Sequence, residues 1–123
     1  MLATSSIVAF VATTDPARAK AFYRDVLGLL LISEDEYALV FDAHGTMLRV
    51  AIVRDIVLAP YTVLGWQVAD IDATVRGLAA KGIQFERYAW MEQSDLGIWS
   101  APSGAKVAWF KDRDGNLLSV SQH

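Results

Sequence analysis

The feature that most constrains the fold of this chain is an internal repeat. Residues 8–15 and 63–70 each form an apolar, strand-like run that ends in aspartate before a helix-like segment, and the two runs are 55 residues apart. Residues 42–50 and 112–120 share Asp, Gly, Leu and Val at the same spacing, with an offset of 70 residues. Two copies of one supersecondary unit are expected to meet around a pseudo-twofold axis, and that meeting place is a natural position for a site.

Each copy predicts one helix directly after its first strand. Asp15 is a suitable N-cap, Pro16 fits the first helical position, and the apolar stripe of this helix ends before Gly28. In the second copy Asp70 is the expected N-cap and Gly82 the expected stop. The sequence therefore indicates the same plan twice.

Short β-like runs follow each helix. The expected strands are 29–32, 37–41 and 47–53 in the first copy, and 83–88, 107–110 and 117–121 in the second. Glycine-containing turns separate them, including His44-Gly45 and Asp114-Gly115-Asn116. Each half therefore reads β-α-β-β-β, which places the chain in the α+β class.

The length of 123 residues predicts a single domain built from both halves, with 54% apolar residues to form its core. Module one is expected at about residues 1–58 and module two at about 61–123, with Pro60 near the join. No Gly/Ser linker or low-complexity tract separates the halves. The modules should therefore pack closely.

Composition excludes several classes of protein. The chain has no cysteine, which rules out a disulfide scaffold, a thiolate metal site and a cysteine nucleophile, and suits a cytoplasmic location. The net charge is -3 and the eleven Lys and Arg are scattered, so no nucleic-acid surface is expected. Neither a signal peptide nor a membrane span is expected, because the apolar runs are short or interrupted.

Three blocks carry a resemblance to a known family. They are residues 15–29 (DPARAKAFYRDVLGL), 65–71 (GWQVADI) and 107–116 (VAWFKDRDGN). In this order they resemble the vicinal oxygen chelate superfamily, which includes glyoxalase I, extradiol dioxygenases, and fosfomycin- and bleomycin-resistance proteins. The resemblance implies two βαβββ modules in a curled mixed sheet that forms a bowl, and a homodimer. It covers essentially the whole chain.

Metal enzymes of that family take one ligand from the first and one from the last strand of each module. Block-by-block alignment puts Val8 and Val63 at the first-strand positions, and Arg49 and Ser119 near the last-strand positions. Valine offers no donor atom, and arginine brings a charge that repels a cation. We therefore expect no metal and no cofactor at the family site, and read His44 and His123 as an exposed turn and tail residue.

Strand alternation predicts which side chains face the bowl. If Val8 and Val63 face it, the same parity adds Phe10, Gly65 and Gln67. On the last strands the same parity groups residues 47, 49 and 51, and residues 117, 119 and 121. An apolar bowl with a few polar groups suits a small, partly apolar ligand.

Arg49 is the most specific candidate for ligand binding in that bowl, because a sheltered guanidinium pairs well with a carboxylate or phosphate. The alternative is a structural pair with an internal acid, such as Asp42, Asp112 or Glu86. The expected ligand is anionic or carbonyl-bearing, which disfavours a cationic drug such as bleomycin. The candidate ligand-binding residues are Arg49, Gln67, Ser119, Phe10, Trp90, Trp99 and Trp109.

The segment 90–99 allows two interpretations: a loop whose tryptophans cover a site, or an ordinary strand and loop that covers the core. Three functions are open. The leading one is a metal-independent small-molecule-binding protein. The second is a glyoxalase-like lyase, isomerase or dioxygenase with an unanticipated site, for which the natural residues are Glu86, Glu92 and Asp95. The third is an accessory module whose bowl is filled.

Overall fold

The structure is a computed structural model that describes residues 1–123. Eight strands, two α-helices and one π-helical segment are distributed over two units, Met1–Val57 and Leu58–His123. Each unit contains one four-stranded mixed sheet, and the two sheets have corresponding strand orders. The α+β class and the two-module plan expected from the repeat are confirmed. No helix is long and apolar enough to cross a bilayer.

The first sheet has the order β1-β4-β3-β2. Its strands are β1 Val8–Thr13, β2 Leu30–Glu34, β3 Ala38–Ala43 and β4 Thr46–Ile52. β4 pairs parallel with β1 and antiparallel with β3, and β2 pairs antiparallel with β3. The last strand of the unit therefore lies inside its sheet.

The first helix begins where the sequence predicts. Asp15 is its N-cap and accepts a hydrogen bond from the backbone N–H of Arg18, and α1 runs over Pro16–Lys20. It then continues as a π-helical segment over Ala21–Val26, which the sequence did not predict. Phe22 and Tyr23 are both buried, and the ring centroid of Tyr23 lies 5.9 Å from that of Phe41 in β3. Gly28 follows with a positive φ of 76°.

The second sheet has the order β5-β8-β7-β6. Its strands are β5 Leu64–Gln67, β6 Trp99–Ser100, β7 Lys106–Lys111 and β8 Leu117–Gln122. Between β5 and β6 lies α2, Ile71–Ala80, which Asp70 caps by accepting from the backbone N–H of Ala73. Ile71 and Val75 are buried, whereas Ala79 near the end of the helix is exposed.

The prediction of a strand at residues 83–88 is wrong. The segment makes only an isolated bridge, between Phe85 and Phe110. The side chain of Gln93 replaces a neighbouring strand here: its Oε1 accepts from the N–H of Tyr88, and its Nε2 donates to the carbonyls of Glu86 and Gly97. A side-chain amide has satisfied the backbone groups that a longer ladder would have used.

One face of each sheet packs against its helix and forms the core. In the first unit the largest fully buried side chains are Phe22, Tyr23, Leu39, Phe41, Leu48 and Val50. In the second unit they are Ile71, Val75, Phe110 and Leu118. The opposite face of each sheet, which we call the open face, carries the candidate site residues described below.

Candidate functional site

The open face of the first sheet carries Arg49. Strand pairing sets Val8 opposite Met47, Phe10 opposite Arg49 and Val40 opposite Arg49. The alternation expected for β1 and β4 is therefore confirmed. Phe10 is 59% exposed and Arg49 is half-buried. Because the strand neighbours of Arg49 are Phe10 and Val40, its side chain lies on a largely apolar surface.

Arg49 makes no hydrogen bond or ion pair within the chain. The acids considered as structural partners are engaged elsewhere. Asp42 Oδ1 accepts from the N–H of Gly45, Asp112 binds the Asp114–Asn116 turn, and Glu86 Oε1 lies 3.4 Å from Lys111 Nζ. The internal pair that would have explained Arg49 is absent.

The charge of Arg49 acts on the carboxylate of Asp35, although the two side chains form no ion pair. The pKa of Asp35 is lowered from its usual value, mainly because its Oδ1 accepts hydrogen bonds from the N–H groups of Tyr37 and Ala38. The positive charge of Arg49 adds to this lowering of the pKa. Two backbone donors therefore already occupy this carboxylate in the turn before β3.

A hollow of about 300 Å³ lies beside this surface. It is lined by Ile32, Val40, Phe41, Asp42, Gly45 and Met47. Five of these six residues are apolar or glycine, which suits the body of a small apolar ligand. His44, in the turn after β3, is exposed with a φ of 53°.

The open face of the second sheet carries Gln67 and Ser119. Gly65 lies opposite Ser119, Gln67 opposite Ser121, and Trp109 opposite Ser119. Ser119 is 9% exposed and Gln67 is exposed. The alternation expected for β5 and β8 is confirmed, and Trp109 belongs to the open face rather than to the core.

The tryptophans of the second unit lie close together. Trp99 and Trp109 have ring centroids 6.1 Å apart, and Tyr88 lies 5.7 Å from Trp90 and 5.7 Å from Trp109. Of the segment 90–99, Trp90 is exposed, whereas Ile98 is buried and Trp99 begins β6. Tyr88 and Tyr61 were not singled out from the sequence, because only the fold brings them to the tryptophans.

The residues that the block-by-block alignment puts at the family's metal positions do not fit a divalent ion. Val8 and Val63 carry no donor atom, and Arg49 is a cation. A shift of the alignment by two residues along the same faces of β4 and β8 reaches Met47, Ala51, Leu117 or Ser121. None of these is an imidazole or a carboxylate, the ligands that such ions prefer.

The carboxylates considered for the lyase alternative do not line one common hollow. Glu86 lines a hollow with Lys111 and Arg113, and Glu92 lines a different one with Ser94 and Trp99. The backbone carbonyl of Asp95 accepts a hydrogen bond of 2.6 Å from Arg87. No three His, Cys, Asp or Glu side chains converge in residues 1–123.

Gly65 provides a test of how closely β5 and β8 approach. A Cβ at Gly65 would lie 2.8 Å from Ser119 Oγ and 3.4 Å from its carbonyl oxygen. We expect Gly65→Ala to lower the free energy of unfolding by about 1 kcal/mol in urea titrations, because the hydroxyl must move. Added to Ser119→Ala, the same change should cost much less.

A second glycine serves as the control for that measurement. Gly77, in α2, has nothing within 4 Å of its ideal Cβ. Gly77→Ala should raise the free energy of unfolding by about 0.5–1 kcal/mol, because alanine favours the helix. If Gly65→Ala were as destabilising in the Ser119→Ala background, contact with the hydroxyl would not be the cause.

Comparison with known proteins agrees with this fold. The family model of the Glyoxalase/Bleomycin resistance protein/Dioxygenase superfamily matches residues 6–120. Because that match spans nearly the whole chain, the protein belongs to this superfamily. The resemblance noted in the three sequence blocks is confirmed. No curated protein matches the chain.

Solved structures show the same fold. A lactoylglutathione lyase from Agrobacterium tumefaciens is 21% identical with a TM-score of 0.73, covering 96% of this chain and 93% of that one. A glyoxalase family protein from Enterococcus faecalis is 19% identical with a TM-score of 0.76, covering 98% and 99%. TioX from Micromonospora sp. ML1 is 20% identical with a TM-score of 0.71, covering 97% and 98%. At these identities the likeness is one of fold.

Proposed function

We propose that this protein binds a small anionic or carbonyl-bearing molecule without a metal, and that Arg49 anchors the ligand. The observation that carries the proposal is the half-buried guanidinium of Arg49, which lacks a partner in the chain. A guanidinium presents paired N–H donors that match a carboxylate in a bidentate arrangement. On a surface flanked by Phe10, Val40 and Met47 such a pair is less screened than in open water.

Other features of the open faces support binding of a partly apolar compound. Phe10 offers an exposed ring beside Arg49, while Gln67 and Ser119 offer polar groups on the second sheet. Trp90, Trp99 and Trp109 supply aromatic surface there. The hollow beside Arg49, about 300 Å³, is of a size for a small ring or chain. It favours a binding protein over an accessory module with no room for a ligand.

The proposal also includes a homodimer in the cytoplasm as the working form, as the family resemblance implies. The side chains that the alignment puts at the metal positions, Val8, Arg49, Val63 and Ser119, support metal independence. Glu86 and Glu92 line different hollows, and no group of three His, Cys, Asp or Glu side chains could hold a metal, which speaks against the lyase alternative. Val8, Val63 and Arg49 are the residues on which the proposal of metal independence mainly depends.

The test is calorimetric titration with cyclohexanecarboxylate, with cyclohexanecarboxamide as the uncharged match. We expect the carboxylate to bind and Arg49→Ala to weaken its affinity about 10- to 100-fold, because two charge-assisted hydrogen bonds are lost. Arg49→Lys should retain part of the affinity, since it keeps the charge without the fork. Arg54→Ala, which removes an exposed arginine of the same unit, should change nothing.

Two results would contradict this proposal. One is equal affinity of the carboxylate for the wild-type protein and Arg49→Ala. The other concerns the metal: on chelator-treated protein, a divalent ion that binds the native state must raise Tm by mass action. A saturable rise with one metal would refute metal independence, and no rise is expected.

A further inference from the structure

The second unit contains an aromatic cavity, whose lining includes Trp90 and Trp109. Its volume is about 250 Å³, and its apolar walls are formed by Tyr61, Tyr88, Trp90, Met91, Trp109 and Leu117. Trp109 and Leu117 project from the open faces of β7 and β8, and the other four residues come from the segments before β5 and before β6. No charged side chain lines this cavity.

The rings of the cavity differ in orientation. Tyr88 meets Trp109 edge to face, with an interplanar angle of 85°, and is tilted by 39° from Trp90. Aromatic rings attract one another most in offset-stacked or edge-to-face arrangements. The lining therefore contains aromatic rings in more than one orientation.

Trp90 is a large aromatic residue that contributes little to the packing of the fold. Its side chain is 79% exposed, and its aromatic contact is with Tyr88 alone. An indole left in water contributes little to the core, while a flat molecule placed against it would remove apolar surface from water. The exposure of Trp90 at the edge of a cavity thus indicates a ligand rather than packing.

Polar groups at this cavity can orient a guest. Thr62, a residue with a hydroxyl group, is part of the lining. The pKa of Tyr88 is raised, first by burial and then by the negative charge of Glu86, so its phenol remains protonated at neutral pH. Glu86 lies 3.4 Å from Lys111, which offsets its charge. The cavity can donate a hydrogen bond but offers no counter-charge to an ion.

We propose that this aromatic cavity binds an uncharged planar aromatic compound of one or two fused rings, held by stacking on Trp90 and Trp109. The volume limits the size, because pockets for drug-sized ligands start at about 300 Å³. The uncharged lining sets the class, since an ion would be desolvated without compensation. This inference rests on the proposed small-molecule binding and names a ligand class for the second unit.

The test follows the four tryptophan indole N–H signals during a titration of the ¹⁵N-labelled protein with 2-naphthol. Each signal is assigned from a Trp→Phe variant. We expect the Trp90 and Trp109 signals to move together and to saturate. The Trp66 signal should stay in place, because β5 turns that ring away from the open face, opposite Val120. Movement of Trp66 to the same extent would overturn the proposal.

Variants supply the second readout. Trp90→Ala should weaken binding of 2-naphthol about tenfold, whereas Trp90→Phe, which keeps a ring, should lose less. Tyr37→Ala is the matched control, since Tyr37 is an aromatic residue of the first unit with 69% exposure, and it should bind normally. Decahydro-2-naphthol, which has the same skeleton without aromaticity, should bind about tenfold more weakly. Equal affinity of Trp90→Ala or of the saturated analogue would refute stacking.

The two binding proposals fail separately. Loss of 2-naphthol binding with cyclohexanecarboxylate binding intact would refute the aromatic cavity and leave the role of Arg49 standing. Carboxylate binding that ignores Arg49→Ala, together with normal 2-naphthol binding, would refute the anchor and leave the cavity. If neither probe binds, both proposals are wrong.

Discussion

Replacing Phe41 with alanine is expected to lower the free energy of unfolding by about 3–5 kcal/mol. Phe41 has 0% exposure in β3, and its ring centroid lies 5.9 Å from that of Tyr23. The deletion would leave a cavity between the first sheet and its helix, which close-packed neighbours can fill only in part. Urea unfolding followed by far-ultraviolet circular dichroism measures the change.

Phe10 is the matched control for that experiment. It is also a phenylalanine of the first sheet, but it lies on the open face with 59% exposure. Phe10→Ala should cost less than about 1 kcal/mol, because little buried contact is lost. Phe41→Leu, which keeps most of the volume, should fall between the two. Similar losses for Phe10→Ala and Phe41→Ala would mean that the packed and open faces are misassigned.

Asp112→Ala is expected to cost about 2–4 kcal/mol. This buried carboxylate accepts hydrogen bonds on both oxygens: its Oδ1 from the N–H groups of Asp114 and Asn116, and its Oδ2 from the Asn116 side chain at 2.8 Å. Removing the acceptor leaves buried N–H donors without a partner. The desolvation penalty of such donors is larger than the net contribution of a hydrogen bond to stability. The turn between β7 and β8 would lose its main internal support.

The internal repeat provides the control for this variant. Asp42 begins the corresponding turn of the first unit, but it accepts from the N–H of Gly45 in an exposed setting. Asp42→Ala should cost less than about 1 kcal/mol, because water can replace the carboxylate there. Chemical denaturation of both variants gives the comparison. If the two costs were equal, burial of Asp112 would not be the reason for its contribution.

Local chemistry made much of the fold predictable. Asp15 and Asp70 cap the helices because a short carboxylate reaches the free N–H groups of the first turn, whatever surrounds it. The positive φ of Gly28 and Gly82 likewise depends on the residue itself. Such rules operate within a few residues, and they placed both helices correctly.

The errors arise where distant residues compete with local preference. Residues 83–88 alternate as a strand does, but the amide of Gln93 takes their backbone partners. The helical spacing predicted that Phe22 and Tyr23 are buried, but not that their segment is π-helical, and Tyr23 there packs on Phe41 of the sheet. Both departures depend on tertiary contacts.

The part of the candidate site that lies on strands was predictable from the sequence, whereas the part that lies on turns and loops was not. Strand parity placed Phe10 and Arg49 on one face, because the side-chain period of a strand is fixed. Parity could not show that Asp35 lies near Arg49, or that Tyr61 and Tyr88 complete a cavity with Trp90. Those neighbours come from turns and loops, whose paths the alternation of apolar residues does not determine.

The position of the last strand in each sheet has a consequence for the order of folding. β8, at Leu117–Gln122, is an interior strand that joins β5 on one side to β7 on the other. During synthesis, β5, α2 and β7 would all emerge before the strand that connects them. The second sheet can therefore close only when those final residues arrive, and its non-local pairing makes this a slow step for a chain of this size. A ribosome-bound chain that ends before Leu117 would hold the parts of this sheet without the strand that unites them.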